Sequence, residues 1–377
     1  MKFSIETSEL QRAIHVLGVS AKLNTTDIEG RVLIEVQEDQ VRFLSSTMSS
    51  AVSFVAKNVT VEEKDKVVVL FSQLRAFVNS FPTFDGESGV KRFNFELSDN
   101  NLVLTLDNIF SNGKKAKGKV KLPIYQTYTI AEPPPFTKAT FIMSASLIKT
   151  ASNKVIYAIN QNESRQNIQG MNIKFNKDFI SFAGTNGFML SEYRIKNISE
   201  LREGDYILSY PFVMGLRRLI ADEDQLFFEL DKNTIKVKFG NICYWGRVII
   251  GQTYPEYVQE FERYSNTITL NKEIVLANLR PFIDLLNPED NNRLRVKLTN
   301  KHLVLANDNA EFVYEEELDV DDDFEVDVNG RFMLDTIDAI KDDELVIKFS
   351  DSKGHLIFDS ENYKDQKALI TPVQFRG

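Results

Sequence analysis

Residues 324–358, FEVDVNGRFMLDTIDAIKDDELVIKFSDSKGHLIF, contain one complete building unit. A short strand, Phe324–Val328, runs into Asn329, whose side-chain oxygen suits a helix cap. Phe332, Ile337 and Ile340 then fall at helical spacing, so one face of the helix is buried. Leu345–Phe349 alternates, turns at SerAspSerLysGly and returns through Leu356–Phe358, which is the pattern of a half-buried antiparallel hairpin.

Working back along the chain, the same order recurs five times. Strands are expected at Lys2–Ile5, Val67–Phe71, Thr140–Met143, Tyr206–Leu208 and Thr267–Leu270. The helices that follow are expected to be capped by Ser8, Ser72, Ser146, Ser209 and Asn271, with Pro211 just inside the fourth helix, where its missing N–H costs nothing. Alternating pairs come next: Arg31–Val36 with Val41–Leu44, Phe93–Leu97 with Leu102–Leu106, and Asn172–Phe175 with Phe179–Phe182. Leu226–Leu230 with Ile235–Phe239 and Leu294–Leu298 with Leu303–Leu305 complete the set. Repeats of this kind point to an α+β fold built from six βαβββ-type units.

A unit with one helix buries little surface alone, so units should pair into three domains of the 377-residue chain. The seams are AlaGluProProProPhe at 131–136, which suits neither helix nor central strand, and the polar stretch Glu260–Asn266. The expected domains are therefore 1–130, 131–260 and 261–377. An apolar content of 43% suits a soluble globular chain, and the start MKFSIETSEL has no secretory apolar segment, so a cytoplasmic protein is expected. The single cysteine, Cys243, sits in an apolar run, reads as a buried small hydrophobe and excludes an intramolecular disulfide.

The formal charge of −9 is unevenly spread. The six helical segments carry Arg12, Arg75, Lys149, Lys154, Arg217, Arg218, Lys272, Arg280, Arg331 and Lys341 against five acidic residues, a net +5 that leaves −14 elsewhere. Helices turned toward a polyanion, with sheets facing solvent, explain that segregation, because lysine and arginine on a helix contact phosphates without reading sequence. Arg12, Arg75, Lys149, Lys154, Arg217, Arg218 and Arg280, together with Lys22, are the candidate polyanion-facing residues.

A second asymmetry is a basic run, Lys114, Lys115, Lys117, Lys119 and Lys121, late in the first domain, matched by an acidic run, Glu311, Glu315–Glu317, Asp319 and Asp321–Asp323, in the third. Such runs keep edge strands soluble, and they also suit a head-to-tail contact between subunits with charge setting the register. Lys114, Lys115, Lys117, Leu285, Leu286, Glu315 and Glu316 are the candidate interface residues.

Catalysis on nucleic acid would need clustered carboxylates for metals or a nucleophile beside a base. His15, His302 and His355 have no such companions, AspAspAsp at 321–323 lies in an expected loop, and no glycine-rich phosphate loop occurs. No enzyme activity, metal or cofactor is expected.

Three stretches carry a family resemblance: FAGTNGFMLSEY at 182–193, GQTYPEY at 251–257 and ALITPVQ at 368–374. With the opening MetLysPhe and the overall length, they resemble bacterial β sliding clamps, the processivity subunit of DNA polymerase III, in a divergent or phage-borne form. The resemblance extends over essentially the whole chain. It implies three clamp domains in each subunit of a head-to-tail ring homodimer, with helices lining the ring and antiparallel sheets outside. It further implies double-stranded DNA bound without sequence preference, a replicative DNA polymerase and an ATP-dependent clamp loader as partners. An alternative that stays open is a clamp paralogue that binds replication factors without supporting synthesis.

Carried over by motif, a cleft for a partner peptide would use Arg165, Ile168, Thr185, Gly187, Phe188, Met189 and Leu190. Pro255 joins them from the second stretch, and Leu369, Ile370, Thr371, Pro372, Val373 and Gln374 from the tail. The chain departs from the family pattern at Asn186 (usually Asp), Met189 (usually Arg), Gln374 (commonly Arg) and at Gln259 and Glu260, where a basic and apolar pair is usual. These departures make the cleft less basic and shift its expected peptide preference.

Overall fold

The computed structural model describes residues 1–81, 89–110, 113–126, 130–197, 203–231, 233–249, 252–300, 302–315, 323–350 and 354–373. Six helices follow the expected order: α1 (Thr7–Leu17), α2 (Phe71–Asn79), α3 (Ala145–Val155), α4 (Tyr210–Leu219), α5 (Lys272–Ile283) and α6 (Gly330–Ala339). All six hairpins form, each within a few residues of its expected bounds. Two of the caps form as expected: Asn271 accepts from the Ile274 N–H, and Asn329 from the Arg331 and Phe332 N–H groups. The serine caps of the first two helices do not. Helices α1 and α2 start at Thr7 and Phe71, so Ser8 and Ser72 lie inside the first turn, and Glu6 and Leu70 hold the cap positions without a side-chain bond. Buried Thr7 and Phe71 anchor each helix start to the core, which takes over the task of a cap.

Contacts divide the chain into two compact units, residues 1–146 with 214–248, and residues 147–213 with 249–377. In the first unit a five-stranded sheet runs in the order Val59–Glu63, Lys2–Glu6, Gly89–Ser98, Asn101–Ile109, Lys115–Pro123. Beside it in the same unit an eight-stranded sheet runs Phe141–Ser144, Gln225–Leu230, Thr234–Phe239, Ile242–Arg247, Ser50–Ala56, Val41–Ser46, Arg31–Val36, Asp65–Leu70. Ser50–Ala56 therefore pairs with Ile242–Arg247, so one sheet continues across the expected 130/131 seam. The apolar stripe of α1, Leu10, Ala13, Ile14 and Leu17, is buried, and the helix lies on Ser50–Ala56. Gly215 of α4 sits where a Cβ would come within 2.3 Å of the Tyr244 hydroxyl, so only glycine fits there.

The second unit repeats the construction. Its eight-stranded sheet runs Gly204–Ser209, Gly170–Phe175, Phe179–Thr185, Met189–Lys196, Gln366–Ile370, Leu356–Ser360, Glu344–Phe349, Asn266–Asn271. Its four-stranded sheet runs Glu311–Glu315, His302–Ala306, Arg293–Leu298, Phe324–Asn329. Helices α5 and α6 pack on each other over a core that includes Leu276, Leu279, Met333, Ile337, Ile347 and Phe358. Pro281 stands near the end of α5, and the helix stops two residues later.

Candidate functional site

The second unit's eight-stranded sheet has two faces because side chains alternate along each strand. Helices α5 and α6 cover one. Across the other lies the segment 252–262, whose Tyr254, Tyr257 and Phe261 are buried against Ile168, Ala183, Leu190, Ile207, Ile357 and Leu369. The register explains the gathering: Leu190 stands opposite Leu369, and Leu369 opposite Ile357, so three apolar side chains form one row.

At the head of this row is the turn between Phe179–Thr185 and Met189–Lys196. The Thr185 hydroxyl donates to the Met189 carbonyl at 2.7 Å and accepts the Gly187 N–H at 3.0 Å. The Asn186 side-chain oxygen accepts the N–H groups of Phe188 and Met189, both at 2.9 Å. Asparagine thus does the work of the family's aspartate as an acceptor, without its charge. Gly187 has φ of +87°, and a Cβ there would collide with the Arg165 guanidinium, so the turn requires glycine. Held in this way, Phe188 projects with 60% of its surface exposed. The tail is tied to the same turn, with the Thr371 N–H donating to the Phe188 carbonyl at 2.8 Å and the Val373 N–H to the Asp327 carbonyl at 2.8 Å.

Ile168, Leu190 and Leu369 thus share one face, with Thr185, Gly187 and Phe188 at its head and an exposed Pro255 in the covering segment. Arg165 pairs with Glu163 at 3.2 Å, and that hydrogen bond holds the Glu163 carboxyl below its usual range. Met189 and Ile370 are corrected by strand alternation: both point to the helix side and join the α5–α6 core. Thr371, Pro372 and Val373 are half-buried beyond the strand, and Gln374 lies outside the described residues.

Sequence reasoning missed Tyr254, Tyr257 and Glu192. Tyr257 donates its hydroxyl to Glu192 at 2.8 Å, and the Glu192 carboxylate is only 2% exposed. Burial, and for Tyr257 also the Glu192 carboxylate, pushes both phenols well above their ordinary value. A signal existed: Glu192 follows Leu190 at a spacing of two, which puts a carboxylate on the face that the leucine buries.

The basic candidates divide. Arg12 and Arg218 are exposed on their helices, and Arg12 also lies over the Phe54 ring at 5.8 Å. Arg75, Lys149 and Arg217 are half-buried, and Arg280 is exposed and pairs with Asp338 at 2.9 Å. Lys22 is corrected: it follows α1 in the connection beyond Gly18 and pairs with Glu29 at 2.5 Å. Lys154 does not project to solvent either. Its Nζ donates to the Ala339 carbonyl at 2.6 Å, at the C-terminus of α6, and burial draws its pKa down to about 8.

Lys115, Lys117, Lys119 and Lys121 are all exposed on Lys115–Pro123, the last strand of its sheet. Glu311 and Glu315 are exposed on Glu311–Glu315, the last strand of the four-stranded sheet in the other unit. Lys114 is exposed in the turn before the basic strand. Leu285 is 52% exposed, whereas Leu286 is buried in the α5–α6 core and so is corrected as an interface residue. Glu316, Glu317, Asp319, Asp321 and Asp322 lie outside the described residues.

Comparison with known proteins agrees with this geometry. The family model of the DNA polymerase III beta subunit, central domain, matches residues 142–256. A beta sliding clamp of Helicobacter pylori is 23% identical over 99% of this chain and 98% of its own length. The match to the beta sliding clamp of a Buchnera aphidicola subspecies is 24% identical and spans 59% of this chain and 62% of that relative. The fold is similar to the DNA polymerase III subunit beta from Pseudomonas aeruginosa, with a TM-score of 0.88, 15% identity and full coverage of both chains. It is also similar to a Helicobacter pylori beta clamp bound to a DNA ligase peptide, with a TM-score of 0.81, 16% identity, and coverage of 99% of this chain and 100% of that one.

Proposed function

This chain belongs to the bacterial β sliding clamps as a divergent member, and we propose that it encircles duplex DNA as a ring homodimer and tethers a replicative polymerase. It carries out no catalysis. A closed ring cannot leave DNA sideways, so a tethered polymerase rebinds at high effective concentration instead of diffusing away. Sliding demands weak phosphate contacts, which suits the scattered cations of Arg12, Arg75, Lys149, Arg217, Arg218 and Arg280 better than a dense basic patch.

The single observation that carries the reading is the pinned turn 185–189 beside the Leu190–Leu369 row, with an exposed phenylalanine in the turn. Such a site offers a partner peptide an apolar anchor point with backbone groups at its rim. Six repeated units support three clamp domains, 1–130, 131–260 and 261–377, whose sheets run on across the seams. The ring closes when the basic strand Lys115–Pro123 of one copy meets the acidic strand Glu311–Glu315 of the other, with Lys114 and Leu285 flanking the contact. The partners are DNA, a polymerase and an ATP-dependent loader, and the place of work is the cytoplasm.

Primer extension with the cognate polymerase and loader tests the reading. The chain should lengthen the product of each binding event on a primed template. Peptide binding and loading without any gain in product length would instead identify a scaffold that occupies replication factors.

A further inference from the structure

The connection 131–139 has neither helix nor strand, yet it crosses the first unit's eight-stranded sheet fastened from strand to strand. Glu132 pairs with Arg42 of Val41–Ser46. The Pro134 carbonyl accepts the indole N–H of Trp245, from Ile242–Arg247, at 2.9 Å. The Pro135 carbonyl accepts from Lys236 at 2.8 Å, and the Lys238 Nζ lies 5.8 Å from the centre of the Phe136 ring, both lysines standing on Thr234–Phe239. Glu229 of Gln225–Leu230 then accepts the Thr137 N–H at 2.6 Å and the Thr137 hydroxyl at 2.9 Å. Beyond it the chain becomes Phe141–Ser144, the edge strand beside Gln225–Leu230.

These feet follow the order in which the strands lie side by side, and one strand is passed over. That strand is Ser50–Ala56, which pairs with Ile242–Arg247 where the sheet joins the chain before residue 130 to the chain after it. The belt therefore has Glu132 fastened on one side of the junction and Pro134 on the other, with Pro133 between them. Proline fixes its own φ near −65° and holds the residue before it to extended backbone. Glu132, Pro133 and Pro134 each precede a proline, so the backbone from Glu132 to Pro135 has little freedom to lengthen or shorten. Without N–H groups the prolines cannot join the sheet as a further strand. They present carbonyls instead, and aromatic surfaces grip polyproline segments in the same way.

A passive linker would need none of these fastenings, because a flexible chain closes such a gap at small entropic cost. Here a lysine is buried to hold the belt: Lys236 is 5% exposed, and its ammonium is shared between Pro135 and Glu229, 2.8 Å away. A buried charge is tolerated only with partners of this kind. The second unit supplies a contrast. Its connection is fastened by Tyr257 to Glu192 and by Glu260 to His355, and between those feet it too passes over one strand, Gln366–Ile370. The residues between the feet are Val258 and Gln259, with no proline.

We propose that Glu132–Thr137 is a rigid strut that fixes the bend of the sheet at the junction of Ser50–Ala56 with Ile242–Arg247, and so helps to keep the loaded ring shut. A stiff element fastened on both sides of a junction resists bending either way: the feet oppose stretching and the prolines oppose shortening. Keeping the ring shut rests on the sliding-clamp reading, whereas the stiffness of the junction does not.

Hydrogen exchange on the full-length wild type and on the triple variant Pro133→Gly/Pro134→Gly/Pro135→Gly tests the strut. The variant keeps every carbonyl and loses only stiffness. Amides of Ser50–Ala56 and Ile242–Arg247 should exchange at least ~10-fold faster in it, and those of Met189–Lys196 and Gln366–Ile370 at the wild-type rate. Trp245→Phe, which removes the donor of one foot, should speed the same amides about 5-fold and provides the test where the triple variant does not fold. Unchanged exchange at the junction would overturn the strut. An equal rise throughout the first unit, its five-stranded sheet included, would show general loss of stability and overturn it as well. Retention on closed circular duplex after loading reads the second half of the proposal: the variant's half-life should fall at least ~3-fold. Faster exchange at the junction with unchanged retention would overturn the strut's part in ring closure. A wild type held no longer on circles than on linear DNA would instead remove the clamp reading, and the exchange rates would still decide whether the strut exists.

Discussion

The two eight-stranded sheets are built alike, yet the matching apolar rows are filled by different side chains. In the first unit the residue pair matching Leu190 and Leu369 is Ala51 and Trp245, directly opposite each other where Ser50–Ala56 meets Ile242–Arg247. Trp245 is 8% exposed, packs with Leu33, Leu44, Val68 and Ile130, and donates its indole N–H to the Pro134 carbonyl at 2.9 Å. The covering segments also correspond, since the Tyr125 N–H donates to Val68 as the Ile249 N–H donates to Ile207. Lys236 fastens the first segment further by donating to Pro135 at 2.8 Å. The turns match as well: the Thr47 hydroxyl accepts the N–H groups of Ser49 and Ser50, as the Asn186 oxygen accepts those of Phe188 and Met189, with an 80% exposed Met48 at the tip. One large side chain and a proline-rich cover fill in the first unit the place that two leucines and a tyrosine-rich cover fill in the second. The repeat supplies the scaffold, and a few side chains decide whether it binds.

Transplanting the plug should have the largest effect. Leu369→Trp in the second unit should weaken peptide binding by at least ~30-fold, the loss expected when a binding anchor worth about 2 kcal/mol is displaced, with the dimer intact. Fluorescence anisotropy with a selected peptide measures it. Unchanged affinity would mean that the Leu190–Leu369 row is not the peptide's seat.

The units differ again at their outer strands, one basic and one acidic. Reversing Lys115, Lys117 and Lys119 to glutamate should give monomers in sedimentation, and a matching reversal of Glu311 and Glu315 should restore part of the dimer. A dimer unaffected by the first change would place the subunit contact elsewhere.

Removing the plug is a smaller perturbation. Trp245→Leu should cost on the order of 2 kcal/mol in denaturant unfolding through the cavity it leaves, without affecting peptide binding. Peptide captured at the first unit by this variant would sharpen the comparison further, since it would show that Trp245 alone keeps that seam closed.

The smallest expected effect concerns acid. The Asn362 backbone N–H, and after it the Ser360 hydroxyl, hold the Asp342 carboxyl well below its usual range. A carboxyl depressed in the folded state contributes stability that is present above its unfolded value of ~4 and is lost as pH falls through the lower folded one. Asp342→Asn should therefore flatten the decline of melting temperature below pH ~4 while lowering it at neutral pH. An unchanged acid slope would remove Asp342 from the account.

Much of this was legible in the sequence, because alternation, helical spacing and turn chemistry are local signals that recur six times. The Pro133–Pro135 stretch reads as a seam for the same reason, and it lies in an irregular segment whose Pro134 carbonyl accepts from Trp245. What was not legible depends on distant strands meeting. Nothing in Ser50–Ala56 says that it pairs with Ile242–Arg247, nearly two hundred residues on. Lys154 reads as an exposed helix cation because the carbonyl that accepts its hydrogen bond comes from Ala339. The tail reads as cleft throughout, yet of its last two strand residues Leu369 joins the Leu190 row and Ile370 does not. Ile370 is a core residue, so removing 369–377 would unfold the strand along with the site.

The central claim is topological binding, and retention on DNA after loading tests it most directly. With the loader removed, the chain should stay on closed circular duplex at moderate salt and leave within the same time once the circle is cut. Equal retention on circular and linear DNA would contradict an encircling ring.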